Sequence, residues 1–409
     1  MPLLDDIDLG SPDTLLAGVP HEYFTRLRNE DPVSWHESPS YPPGFWVCTK
    51  YQDVIDIERD AKTFSSARGG ALLDDQGQGT ELMMLNQDPP QHTRLRNLVA
   101  RGFTPKVIKG MEPHIREASR LIVDRVATRT DVVDFVPNLA AELPLVVIAE
   151  LLGIPYDDRH KVFEWSNRLI GANDPEYAGP GADAPMEASM ELYAYAQSLA
   201  DDRRARPMDD IVTTLVTAEL DGERLSDIEF NVFVLLLSVA GNETTRNLIS
   251  GGMLALMQNP DQQARLAADL DGLLPTAVDE MLRYVSPVQY FRRTATADAE
   301  IRGQQITKDD KVTIWYGAAN RDEEVFANPQ SFDVGRTPNE HLAFGGRGPH
   351  FCLGASLAKM EIRVMFEEIL SRLPDMRLAG EPERLRSNLI AGIKHLPVTF
   401  TPESELRAA

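Results

Sequence analysis

One segment constrains this chain more than any other: Ser226 to Asn259, which has a start signal, a stop signal and no break between them. Ser226 with Glu229 three residues on forms a capping box, and Asn259-Pro260 ends the helix it starts. At ~1.5 Å per residue such a helix is about 50 Å long, the length of a whole domain. Its middle, Phe230–Ala240, is apolar almost all round, so it must run through a core and not along a surface. The rest of the 409 residues then has to pack around it.

Most of that remainder also reads as helix. Pro89-Pro90 opens His92–Arg101, which stops before Thr104-Pro105, and Ala140–Leu152 is closed by Gly153 and Pro155. Pro275–Tyr284 ends at Ser286-Pro287, and Ala355–Leu373 follows Cys352. Strand signals are confined to Phe45–Thr49, Glu300–Arg302 and Val312–Tyr316. The expected fold is mainly α with a small β region. No repeat or linker divides the chain, so residues 1–409 are expected to form one domain. Gly69–Thr80 and Asn173–Pro185 read as long loops within it, either lids or surface insertions.

Composition narrows the function classes. Hydrophobic residues are 43% and charged residues 25%, which excludes disorder and low-complexity scaffolds. With 63 acidic against 41 basic side chains and a net charge of −22, no nucleic-acid partner is expected. Cys48 and Cys352 are the two cysteines, which excludes a disulfide framework or a multi-cysteine zinc site and suits the cytoplasm. Met1–Ser11 is acidic and lacks the pattern of a signal peptide. The longest apolar run, Val232–Gly241, is half of what a bilayer requires, so no membrane anchor is expected.

Cys352 ends the glycine-rich run Phe344-Gly345-Gly346-Arg347-Gly348-Pro349-His350-Phe351-Cys352-Leu353-Gly354 and stands at the start of a helix. Backbone N–H groups and the helix dipole there favour a thiolate. The glycines would allow a flat macrocycle to press against the loop. A buried structural cysteine is the plainer alternative; a phosphate loop lacks its Gly-Lys-Ser/Thr ending. On the long helix, Ala240-Gly241-Asn242-Glu243-Thr244-Thr245 sets a glycine, an acid and two threonines in an apolar core. A threonine bonding back to the helix can open a turn beside a small residue, making room for a diatomic ligand. An adjacent acid and alcohol can relay protons to it. The alternative is a kink whose Glu reaches solvent. Glu280 and Arg283 share one helix face, as do His92 and Arg96; each pair is either a solvated surface pair or a grip on something buried.

Taken together these segments resemble the cytochrome P-450 family of haem-thiolate monooxygenases, from about Pro20 to Pro402. The cysteine loop is the most specific match, followed by Ala240–Thr245, by Glu280-x-x-Arg283 and by Phe332-Asp333-Val334-Gly335-Arg336, the family's F-x-x-x-R segment. The resemblance implies a long central helix over haem b, with Cys352 as the proximal thiolate ligand of its iron. It implies that Glu243 and Thr244 deliver protons to O2, and that His92, Arg96, Arg293 and His350 bind the haem propionates. Phe344 would sit on the thiolate side and Gly241 over the distal face, while Glu280, Arg283 and Arg336 would form a structural triad. One residue more separates Phe344 from Cys352 than in the most compact form of the signature, but His350 keeps its place two before the cysteine.

MLNQDPPQHTRLRNLVARGFTP, AGNETTRN, HLAFGGRGPHFCLG and RSNLIAGIKHLPVTF look like the actinobacterial members that hydroxylate sterol side chains and methyl-branched lipids at a terminal carbon. The segments expected at the pocket suit such an apolar small-molecule substrate: Leu72, Leu73, Met83, Met84, Leu85, Val239, Ala240, Val288, Tyr290, Ile390 and Ala391. No flavin or nicotinamide fingerprint is present, so electrons are expected from a ferredoxin and ferredoxin reductase. The partner would dock on the cysteine side, where Arg94, Arg101, Lys106, Arg347 and Lys359 could form a basic patch. Other readings within the class are a peroxide-driven oxygenase and a hydroxylase of a terpenoid or polyketide natural product. A non-catalytic haem-binding or gas-sensing protein is the alternative of another class.

Overall fold

The computed structural model describes residues 7–75, 80–179, 181, 183–219 and 222–406. Met1–Asp6 and parts of both long loops (76–79, 180 and 182) lie outside the described residues, so the expectations for those stretches are followed only where they are described.

The first half of the chain forms α1 (His21–Glu30), β1 (Val33–His36), β2 (Phe45–Cys48), α2 (Tyr51–Arg59), β3 (Phe64–Ser65) and α3 (Gln91–Val99). It continues with α4 (Pro105–Asp124), β4 (Val133–Asp134), α5 (Glu142–Leu151), α6 (Arg159–Ile170), α7 (Ala184–Ala205) and α8 (Ile211–Thr217). The long helix is α9 (Asp227–Gln258), followed by α10 (Pro260–Ala268) and α11 (Leu270–Val285). Then come β5 (Tyr290–Ala295), β6 (Ala299–Ile301), β7 (Gln304–Ile306), β8 (Lys311–Trp315) and α12 (Tyr316–Ala319). The chain closes with α13 (Ala355–Arg372), β9 (Arg377–Leu378), β10 (Glu383–Arg384), β11 (Ile393–His395), β12 (Pro397–Thr399) and the short α14 (Glu403–Leu406).

α9 carries the predicted capping box: Glu229 N–H donates to Ser226 Oγ at 3.3 Å, and Ser226 N–H donates to Glu229 Oε2 at 2.8 Å. Each satisfies a donor that the first turn leaves without an intrahelical partner. α5, α6, α7, α11 and α13 pack around α9, and Phe230, Val234, Leu248, Met253 and Leu256 are buried against them. The main sheet has the order β1-β2-β8-β5-β3, with β2 and β8 parallel (Trp46 opposite Val312) and β5 antiparallel to β8 (Tyr290 opposite Trp315). Among the described residues no helix is long and apolar enough to cross a membrane.

Two boundaries move. α11 begins at Leu270, five residues before Pro275, because Asp269 accepts from Gly272 N–H and caps it. The helix expected from His92 to Arg101 is α-helical only to Val99 and then tightens into a 3-10 turn over Ala100–Phe103. Thr104 caps α4 directly after that turn. Glu280 and Arg283 are not a surface pair: both are fully buried. Arg283 Nε and Nη2 donate to the Glu280 carboxylate at 2.8 Å each, and Arg336 Nε does so at 2.9 Å. Arg283 also donates to the carbonyls of Asn320 and Pro329, tying α11 to the chain leading into the cysteine loop.

Candidate functional site

Cys352 stands just ahead of α13. Its N–H donates to Phe344 O at 2.9 Å, and Gly345 N–H to Leu342 O at 2.9 Å, folding the run into a tight loop. Gly345 (φ +100°) and Arg347 (φ +66°) hold left-handed backbone there. Two of the other glycines have a packing reason within the protein itself. A Cβ on Gly348 would lie 2.2 Å from Glu58 O, and one on Gly346 would lie 2.8 Å from Glu58 Oε2 and 3.1 Å from Ile55 Cα. The close approach they permit is to α2. The thiol departs from expectation: burial pushes Cys352 up, while Gly354 N–H and Arg96 pull it back only in part. The helix start alone does not make the thiolate; a cation bound to the sulfur would. Cys48 is wholly buried in β2 and burial pushes its thiol much further up.

Four nitrogen donors converge beside this loop, from three separate parts of the chain. His92 on α3 is 1% exposed, and its ring centroid lies 4.2 Å from that of His350. Neither nitrogen of His92 has a hydrogen-bond partner, nor has Nε2 of His350. Burial, with the charges of Arg96 and Arg293 nearby, lowers His92 to about 4; burial and Arg293 lower His350 to about 2. Arg96 Nη2 donates to Phe351 O at 2.6 Å. Arg293 on β5 is 3% exposed and donates to Arg292 O at 2.8 Å. Buried donors without acceptors are costly, and the carboxylates of a porphyrin are acceptors of the right charge. Together with a sulfur ligand on the adjacent loop, the donor set fits haem.

On α9 the acid and the alcohol point apart. Glu243 is 1% exposed and paired with Arg246 one turn on. Arg246 donates to Asn167 Oδ1 at 3.0 Å and lies over the rings of Tyr177 and Phe163. Burial raises Glu243, and Arg246 partly offsets this. Thr244 is half-buried, with its hydroxyl donating to Ala240 O at 2.7 Å. The expected opened turn is absent: α9 is α-helical from end to end, because that bond is made within a regular turn. Ala240 is exposed in the middle of α9, beside half-buried Val239 and Gly241 and on the same face as half-buried Thr244. Gly241 has a packing reason for lacking a side chain, since a Cβ would lie 2.5 Å from Ile148 Cδ1 on α5.

Of the expected pocket residues, Val288 pairs with Ile390 as an isolated bridge, and Ala391 N–H donates to Pro287 O at 2.8 Å. Met83, Met84, Leu85, Leu72 and Val239 are half-buried, and Met84 lines a small cleft with Leu95, Val99 and Phe233. Leu73 and Tyr290 are corrected to core. They are 0% and 2% exposed in one cluster with Phe24 and Trp315, because Tyr290 stacks on Trp315 across the β5–β8 pair. The basic patch is also reduced. Arg94 pairs with Glu229 at 2.7 Å, Lys359 with Asp279 at 2.6 Å, and Arg347 with Glu340; Arg101 and Lys106 are exposed. Sequence reasoning missed Arg246, although its spacing of three from Glu243 was visible, and Glu58, which no local pattern marks.

The sequence pattern of the cytochrome P-450 family matches residues 187–374. Over 407 residues the chain is 46% identical to the methyl-branched lipid omega-hydroxylase of Mycobacterium tuberculosis, covering 97% of this chain and 95% of that protein. It is 42% identical over 414 residues to the steroid C26-monooxygenase of Rhodococcus jostii, covering 98% and 86%. A Mycobacterium marinum cytochrome P-450 solved in complex with pseudoionone superposes with a TM-score of 0.90 at 40% identity, covering 98% of this chain and 100% of that one. Similarity of that extent, over a chain whose cysteine loop and buried donors fit a haem iron, means that this protein belongs to the cytochrome P-450 family and is a haem-iron monooxygenase.

Proposed function

We propose that this enzyme hydroxylates the terminal carbon of a sterol side chain or methyl-branched lipid, with haem b as cofactor and a ferredoxin with its reductase as electron source. The observation that carries the reading is near-full-length identity above 40% to two proteins both named for lipid or steroid oxidation, one for omega-hydroxylation and one for C26. When bound, the haem supplies the chemistry that consumes O2, two electrons and two protons, places one oxygen atom in a C–H bond and releases the other as water.

The chain's own residues divide the remaining work. Cys352 Sγ would be the ligand, and His92, Arg96, Arg293 and His350 would supply the donors for the carboxylates. Ala240 and Thr244 share one face of α9, and the Thr244 hydroxyl, released from Ala240 O, would hold a proton for the oxidation. Glu243, kept from solvent and paired with Arg246, would pass a proton on when that contact loosens. Val288, Ala391 and the half-buried Met83–Leu85 segment exclude water and grip an aliphatic chain at ~25 cal/mol per Å2 buried, with buried Ile390 bridged to Val288 behind them. A primary C–H bond is the strongest on such a chain, so terminal selectivity has to come from orientation. The reading places the enzyme in the cytoplasm, where its thiols stay reduced.

The test is product analysis after turnover with a ferredoxin, its reductase and either a methyl-branched fatty acid or a cholestane-type sterol. One oxygen on a terminal methyl is expected. Attack only at internal or ring carbons would contradict the substrate reading.

A further inference from the structure

Glu58 lies on α2, 4% exposed, and the partners of its carboxylate are far from it in sequence. Its Oε2 accepts the N–H of Gly346 in the cysteine loop, and its Oε1 accepts the hydroxyl of Tyr316, the first residue of α12. Oε1 also lies 3.7 Å from Arg293 Nη2, between two residues that are each 3% exposed in their side chains. A carboxylate so enclosed is costly unless its partners are fixed. Here those partners are a backbone amide six residues before Cys352, a phenol and a guanidinium. Gly345 and Gly346 pack against the same carboxylate, and Gly348 packs against the Glu58 carbonyl. Arg96 reaches the same loop through Phe351 O at 2.6 Å, whereas Glu58 reaches it at Gly346 and does so with a negative charge.

We propose that Glu58 is a positioning residue: its charge clamps the cysteine loop through Gly346 and aims Arg293, thereby setting both how firmly haem is held and its reduction potential. This rests on the reading that Cys352 ligates the iron and that Arg293 faces a haem carboxylate. The carboxylate shares Arg293 with the cofactor, so it offsets part of the positive charge gathered beside the iron. Removing that negative charge favours the reduced form, which is less positive.

The experiment uses the holoprotein and measures reduction potential, the reduced CO spectrum and the rate of haem transfer to an excess of an apo-globin acceptor. Glu58→Gln should keep the thiolate CO spectrum but raise the reduced-to-oxidised ratio at fixed potential about tenfold, a shift of about 59 mV for one electron. Its haem should also leave several-fold faster. Glu58→Asp keeps the charge but shortens the reach to Gly346; it should hold the potential near that of the wild type and still lose haem faster. A merely structural role would move retention without moving the potential, and an unchanged potential in Glu58→Gln overturns the proposal. If the glutamine variant does not fold, haem loss from Glu58→Asp at the wild-type rate overturns it instead. A wild-type holoprotein without the thiolate spectrum would overturn the underlying haem reading as well.

Discussion

Replacing Glu280 by glutamine keeps the side chain's shape and removes the charge that two arginines share. Glu280 is fully buried. Its oxygens accept from Arg283 Nε and Nη2 at 2.8 Å, Arg336 Nε at 2.9 Å, Asp333 N–H at 2.9 Å and Asn339 Nδ2 at 3.2 Å. A glutamine offers one acceptor oxygen and turns an NH2 group toward these donors, so the bidentate contact with Arg283 is lost. Breaking a buried ion pair from one side costs about 3–5 kcal/mol, set against a total stability on the order of 5–15 kcal/mol. Arg336→Ala should cost less, ~1–3 kcal/mol, because it leaves Glu280 paired with Arg283 and its own side chain is nearer the surface. Urea unfolding followed by far-UV circular dichroism reads both as midpoint shifts at unchanged slope. A Glu280→Gln variant within ~1 kcal/mol of wild type, or an Arg336→Ala variant as damaged as it, would refute the reasoning.

Three further outcomes follow from the site. Gly348→Ala drives a Cβ into the Glu58 carbonyl, and should yield protein with a reduced haem-to-protein absorbance ratio; full occupancy would show that the loop has room. Glu243→Gln and Thr244→Ala should keep haem but slow product formation roughly a hundredfold or divert electrons to peroxide, read as product formed per electron consumed; coupled turnover at the wild-type rate would leave α9 with only a packing role. His395 on β11 lies between Asp134 and Glu176, and its pKa is raised because those carboxylates outweigh its desolvation. Its stabilisation is therefore fully present below the unfolded value of about 6.5 and is lost as pH rises through the raised one. The drop in Tm caused by His395→Gln should be larger at about pH 6 than at about pH 9; equal drops at both would argue against a charged His395.

What was legible in the sequence is what local chemistry determines. The capping box at Ser226, the stop at Pro260 and the apolar middle of α9 are each written within a few residues, and α9 forms as they dictate. The cysteine loop is legible for the same reason. The partners of its glycines are not, because α2 lies some 290 positions away, as with Glu58 and Gly346 (288 apart). Leu73 and Tyr290 illustrate the other limit: both are apolar and near the site in sequence, but pairing of β5 with β8 turns Tyr290 onto Trp315 and into the core. Arg94, Arg347 and Lys359 were visible as cations, whereas their acidic partners were not; Glu229 is 135 positions from Arg94. Glu243 and Thr244 are adjacent in sequence, yet neighbours on a helix point about 100° apart. One is buried with Arg246 while the other stays half-buried with its hydroxyl on Ala240 O.

The central claim is that Cys352 Sγ holds the iron, and the reduced CO complex tests it most directly. Wild-type protein and Cys48→Ser should both show the red-shifted Soret band of a thiolate ligand, since Cys48 is wholly buried between β1 and β8. Cys352→Ser should lose that band. Retention of the band in Cys352→Ser, or its loss in Cys48→Ser, would contradict the account.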